Sequence, residues 1–299
     1  MLTWTLWHDL KNPPRSHPLF WRVIQQGQNS SGQGWVRVFQ GLLALILVGV
    51  ALSSLTSALV LLVCGIIILP ILVLVGSSGF YASLGAMDTA DTLAQEARDG
   101  THDLLRVMPA GAPAVDWLMA SACLHRNQRI GQVHALVRIV AIAGGLALTA
   151  VTLFLALSVV SAQEQERFAL TYGALRDMSR LLAFCLIIYV DHMQSFIAGG
   201  LVGIITAYSV RSPLEARLWA FIGFWAQQIA AYVLIIGLTL LTWGLIETFM
   251  LPSAGRALLT AGSVFLLYVF VREALISGLW RWMLFLSLGA ARPRPVELR

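Results

Sequence analysis

Four ionisable residues stand inside long apolar stretches of this 299-residue chain: Asp191 and His192 in one, Arg272 and Glu273 in another. Asp191 and His192 lie eleven and twelve residues past Arg180, near the middle of their stretch. An unpaired charge at that depth in a bilayer costs about 2.5 to 3.5 kcal/mol on insertion scales, so Asp191 needs a partner. Arg272 is the natural one. Glu273 follows it in sequence, and neighbours on a helix point about 100° apart, so Arg272 and Glu273 cannot both face one group. Residue types of this kind suit a structural ion pair or polar network, a substrate or gating contact, or proton transfer, and all three remain open at the level of sequence.

A second chemistry-bearing stretch runs from Asp88 to Pro109. It interrupts a chain that has no Lys, Arg, Asp, Glu or His over the fifty residues from Val38 to Met87, and a further uncharged block covers Ile139 to Gln163. Thr89 to Asp99 lack Gly and Pro and suit a helix. Gly100 can take the left-handed conformation that ends one. Thr101 is placed to N-cap a second short helix, Asp103 suits the positive end of its dipole, and Pro109 stops it. On that short helix Leu104, Leu105 and Met108 fall at i, i+1 and i+4, an apolar stripe with no core of its own to enter.

The pattern Glu96-x-x-x-Gly100-Thr101-x-x-Leu104-Leu105-x-x-x-Pro109 resembles the first cytoplasmic loop of permease subunits in ATP-binding-cassette transporters of the type-2 exporter class. It departs from the family at Met108, where Thr is usual, and at Gln95-Glu96, which replace a Glu-Arg pair. The resemblance implies that Thr101 to Met108 form a coupling helix docked on a separate cytoplasmic ATPase subunit. Glu96, Gly100, Thr101, Leu104, Leu105, Met108 and Pro109 are then the partner-docking positions. It also implies a second permease chain, as homodimer or heterodimer, an N-terminal elbow helix, and ATP with magnesium only on the partner. The apolar stripe lying on the membrane surface is the competing expectation.

Composition supports the membrane setting. The chain is 58% hydrophobic and 12% charged, with a mean hydropathy of +0.77, against a charged fraction of about 25% in soluble domains. The net charge of +5 comes from basic residues that flank apolar runs, which favours membrane anchoring over nucleic acid. Cys64, Cys123 and Cys185 have no metal or disulfide spacing. His125, Arg126, Arg129, His134 and Arg138 read as a headgroup-facing basic surface, so no metal site is expected. Lys11 is the sole lysine, in the context Asp-Leu-Lys-Asn, so the chain has no Walker A loop, and no other hydrolase or dinucleotide motif stands in context. No catalytic residue and no cofactor are expected here.

The positioning elements are six transmembrane helices in an all-α fold. Residues 1–35 form an interfacial segment without a signal peptide, with an elbow helix over His17 to Ile24 or, alternatively, a partly ordered tail. Spans 1 and 2 occupy 36–86, near Val38 to Leu55 and Ala58 to Ser83. A coupling-type loop covers 87–138, with an amphipathic interfacial helix over Val115 to Arg126. Spans 3 to 6 occupy 139–290, near Ile139 to Ser161, Leu181 to Tyr208, Leu218 to Ile246 and Ala257 to Trp280, the last able to continue to Leu288. Gln163 to Arg180 is expected to be a polar loop, and 291–299 a cytoplasmic tail.

With both termini inside, fifteen of the twenty Lys and Arg residues fall on the cytoplasmic side and four outside, as short cytoplasmic loops require. The expected protein is an integral subunit of a prokaryotic inner membrane. A non-transporting scaffold and an intramembrane enzyme or proton-coupled carrier are the rival readings. Single cysteines introduced as Gln95→Cys, Gln165→Cys and Pro295→Cys, in a background lacking Cys64, Cys123 and Cys185, test the orientation. The first and third should label only from the cytoplasmic side, and Gln165→Cys only from outside; the opposite labelling of Gln165→Cys removes this topology.

Overall fold

The computed structural model describes residues 1–13, 16–26, 58–102, 111–126, 164–210, 212–248 and 253–290, and among these the regular structure is helical throughout. Seven helices follow one another: α1 Leu2–Lys11, α2 Pro18–Gln26, α3 Ala58–Arg98, α4 Ala112–Arg126, α5 Glu164–Ser209, α6 Pro213–Thr248 and α7 Ser253–Ala290. Three stretches within α5, α6 and α7 are long and apolar enough to cross a membrane: Ala183–Ser209, Pro213–Ile246 and Leu259–Ser287. The chain is an integral membrane protein by that measure. The expected spans near 38–55 and 139–161, and the tail 291–299, lie outside the described residues.

Several boundaries differ from the sequence expectation for one shared reason: polarity ends an apolar run without ending a helix. The expected break between a span closing at Ser83 and a separate helix over Thr89 to Asp99 is absent, and α3 runs unbroken for 41 residues, about 62 Å at helical rise. Likewise Gln163 to Arg180, expected as a loop, is helical from Glu164 onward as the first part of α5. Glu164 to Arg180 contain no Pro and a single Gly, so nothing in their backbone chemistry opposes the helix. The turn between α5 and α6 is correspondingly tight. Ser212 accepts from the Glu215 amide at 3.2 Å, with Pro213 at the first helical position, a strong N-terminal signal.

The core forms where α3, α4, α5 and α6 meet, with α7 completing it against α5 and α6, α2 lying on α4, and α1 touching α5 and α7. Ala82, Ala86 and Ala90 on α3 are fully buried and recur every fourth residue, giving one smooth face. Gly199 and Gly203 on α5 meet that face so closely that a Cβ at Gly199 would lie 2.5 Å from the Ala82 carbonyl oxygen, and one at Gly203 would lie 2.6 Å from that of Ala86. Small residues at such crossings let backbones touch, which in lipid supplies much of the packing energy.

The helix α4 departs most from expectation. Rather than showing the single apolar face of an amphipathic helix, it is buried from Val115 to Leu124 except at Leu118. Its small residues Ala120, Ser121 and Ala122 permit close approach, and Trp117 packs over Gly200 and edge-to-face with Trp280 at 6.3 Å. The smaller α2 turns Leu19, Phe20 and Val23 inward.

The contact between α3 and α5 yields a direct test. Gly203→Ala should destabilise the protein by about 1 to 3 kcal/mol, the usual scale of overpacking, read as a lower Tm in detergent. Gly237→Ala, where a Cβ meets nothing within 4 Å, should be neutral or mildly stabilising. Equal effects at the two positions would refute the close crossing.

Candidate functional site

Two polar clusters stand out in an otherwise apolar bundle. The first is built from three pairs of residues, each four apart and so on one face of its helix: Asp191 and Ser195 on α5, Gln228 and Tyr232 on α6, Tyr268 and Arg272 on α7. Arg272 is the hub, with 1% of its surface exposed. Its Nη2 donates to Asp191 Oδ1 at 2.6 Å and to Ser195 Oγ at 2.9 Å, and its Nη1 donates to Gln228 Oε1 at 2.5 Å. Gln228 Nε2 donates in turn to Ser195 Oγ at 3.0 Å. Tyr232 donates to Asp191 Oδ1 at 3.0 Å, as does Tyr268. The rings of Tyr232 and Tyr268 also flank the guanidinium, with centroids 5.8 and 6.0 Å from its carbon. A cation so placed gains from both ring faces and from the carboxylate.

The residues adjacent to this pair serve a different junction. His192 Nδ1 is 2.8 Å from Ser78 Oγ on α3, and its ring meets Phe196 at 5.0 Å and Trp7 at 6.2 Å. Glu273 accepts from the Thr3 amide at 3.2 Å and from the Thr3 hydroxyl. Asp191 is thus joined to Arg272 and not to Glu273, and Glu273 caps the first turn of α1.

The second cluster lies where α3 ends. Gly100 has a φ of +72°, the left-handed conformation that glycine tolerates best. The Thr101 hydroxyl donates back to the Glu96 carbonyl at 3.1 Å and to the Glu96 carboxylate. Arg22 on α2 brings one Nη2 to both Glu96 oxygens at 2.9 and 3.1 Å. The spacing Glu96-x-x-x-Gly100-Thr101 therefore has a structural meaning: the glycine reverses the chain so that the threonine returns to the glutamate. Arg126 and Asp88 lie 3.4 Å apart, and Arg217 and Asp91 3.8 Å apart. Burial holds the Asp88 carboxyl above the ordinary carboxylate range and outweighs the attraction of Arg126 and Arg217. Burial also pushes the Cys123 thiol up to about 11, which makes it an unreactive packing residue.

Beside this cap, His102 Nε2 is 2.9 Å from Asp116 Oδ1, and the Tyr208 hydroxyl donates to Asp116 Oδ2. Comparison with family models, curated proteins and solved structures gives no match. Of the expected docking positions, Glu96, Gly100 and Thr101 are brought together, while Leu104, Leu105, Met108 and Pro109 lie outside the described residues. No grouping of three or more His, Cys, Asp or Glu side chains suited to a metal occurs among the described residues. Sequence reasoning missed Ser195, Gln228, Tyr232 and Tyr268, and it missed the buried Asp116. The four network residues had a legible signal, since each lies four positions from another polar residue inside an apolar helix; Asp116, in a helix taken as interfacial, had none.

Asp191→Asn should cost about 3 to 5 kcal/mol of stability, because it leaves the Arg272 cation buried without its counter-ion. Adding Arg272→Met should recover part of the loss, with an interaction of about 0.5 to 3 kcal/mol in the cycle. Thermal unfolding of the four proteins in detergent measures it, and strictly additive losses count against the pair.

Proposed function

We propose that this chain is the membrane-spanning permease subunit of an ATP-driven transporter, with ATP hydrolysis residing on a separate cytoplasmic ATPase that docks on the segment following Gly100. The observation that carries this reading is the anchored cap at the end of α3: Glu96 holds Thr101 and Arg22 together, so the chain leaves α3 in a fixed direction at its most polar end. A docking element must be mounted stiffly if pushing on it is to move anything else. α3 meets that requirement, because the same helix that ends in the cap carries Ser78, bonded to His192 within the apolar bundle.

In this reading six spans, with both termini cytoplasmic and α2 as the elbow, pair with a second permease chain in a prokaryotic inner membrane. ATPase closure pushes on Thr101 to Met108, and the helices carry the displacement to a path between the two chains. The Asp191 network is assigned to holding α5, α6 and α7 in register. That assignment is favoured over proton transfer because Arg272, Tyr232 and Tyr268 all direct donors at one carboxylate oxygen, which ties α6 and α7 to α5 at a single point.

Purification from the native membrane should bring down an ATP-hydrolysing subunit. The pair Leu104→Asp and Leu105→Asp should abolish that capture, by at least about tenfold for the loss of two buried leucines, with membrane insertion and Tm unchanged. Failure of the wild-type protein to capture any ATPase, even with a cross-linker attached through Arg106→Cys in intact membranes, removes the permease reading and leaves the scaffold.

A further inference from the structure

The side chain of Asp116 is shut off from solvent, with no exposed surface, and it belongs to neither of the elements that it joins. It stands on α4. One of its oxygens meets His102, two residues past Gly100 and immediately before the 103–110 stretch. Its other oxygen takes the hydroxyl of Tyr208, next to last in α5 and at the very end of the apolar stretch Ala183–Ser209. The His102 and Tyr208 rings also touch edge-to-face, with centroids 5.9 Å apart.

We propose that His102, Asp116 and Tyr208 form a mechanical joint that ties the chain just past the cap of α3, at His102, to the end of the membrane-crossing part of α5. Each carboxylate oxygen has its own partner, so loss of either bond strands a buried lone pair that water cannot reach. Such a chain moves as a unit. Its support is stiff, because Trp117, the next residue on α4, is wedged over Gly200 of α5. The close crossing of α3 on α5 at Gly199 and Gly203 holds the helix bodies together; the joint adds a link at His102 and Tyr208, beyond that crossing. The joint stands on its own geometry, while its use as the route by which a docking ATPase moves α5 rests on the permease reading.

Hydrogen exchange on the full chain in lipid nanodiscs, read by mass spectrometry over 96–102 and 205–210, tests it with His102→Phe, Tyr208→Phe and the double variant. Tyr208→Phe keeps the ring and removes only the hydroxyl, so folding is spared. Each single variant should speed exchange in both segments, roughly tenfold for one lost buried hydrogen bond to a charged group, with exchange over 191–203 unchanged. The double variant should go no further than either single, since one joint is broken once. Effects confined to each variant's own segment, summing in the double variant, overturn the proposal. Where an ATPase co-purifies, ATP should alter exchange over 205–210 in the wild type but not in Tyr208→Phe, with equal ATPase captured; an ATP effect that survives Tyr208→Phe also overturns it. Absence of any captured ATPase counts against the permease reading alone, and the exchange cycle still decides the joint.

Discussion

A buried guanidinium sets the terms for the membrane half of this protein. Arg272 has almost no contact with solvent, and in an apolar bundle its charge is tolerable only with a counter-charge and hydrogen-bond acceptors at fixed positions. Asp191, Ser195 and Gln228 meet that demand from two other helices. The requirement fixes register as well as contact. Sliding α7 by one residue would turn Arg272 about 100° away from Asp191, so the network selects a single alignment of three helices whose apolar faces alone would accept several.

Against that polar constraint, the crossing of α3 and α5 is defined by the absence of side chains. Gly199 and Gly203 let the backbone of α5 rest on the carbonyls of Ala82 and Ala86, and no rotamer is available there to absorb a relative shift. The two devices are complementary: one sets alignment by charge, the other sets distance by volume. α3 meets His192 through Ser78 at its middle, and its polar end closes on Gly100 and Thr101.

The sequence announced the helical membrane character, the pairing of Asp191 with Arg272, and the chain reversal at Gly100, because each follows from a strong local rule: hydropathy, the cost of an isolated charge, and the freedom of glycine. It misplaced helix ends where polar residues follow apolar ones, since Asp88 to Arg98 and Glu164 to Arg180 are good helix formers whatever solvent surrounds them. It read α4 as amphipathic, with one covered and one open face, because Trp, Arg and His near a membrane ordinarily mark headgroup depth. In the folded chain Asp116 and Trp117 are instead covered by α5 and by the residues around Tyr208 and Trp280, and that covering is a tertiary fact with no signature inside residues 112–126. The leucine stripe at Leu104 and Leu105 lies beyond the described residues, so its surroundings rest on the sequence argument.

The dipeptides Asp191-His192 and Arg272-Glu273 make one further point about how few residues organise this bundle. The rotation of about 100° between helical neighbours sends Asp191 and Arg272 toward the junction of α5, α6 and α7, and sends His192 and Glu273 toward α1 and α3. Trp7 of α1 meets His192 and Thr3 of α1 meets Glu273, four residues apart and hence on one face of that short helix. A ten-residue helix has little stability of its own, and its first amide groups lack intrahelical partners. The carboxylate of Glu273 supplies a partner for one of them. The same helical geometry that lets Arg272 serve the central network therefore obliges its neighbour to face elsewhere, and α1 occupies the place where that second carboxylate would otherwise be left unpaired.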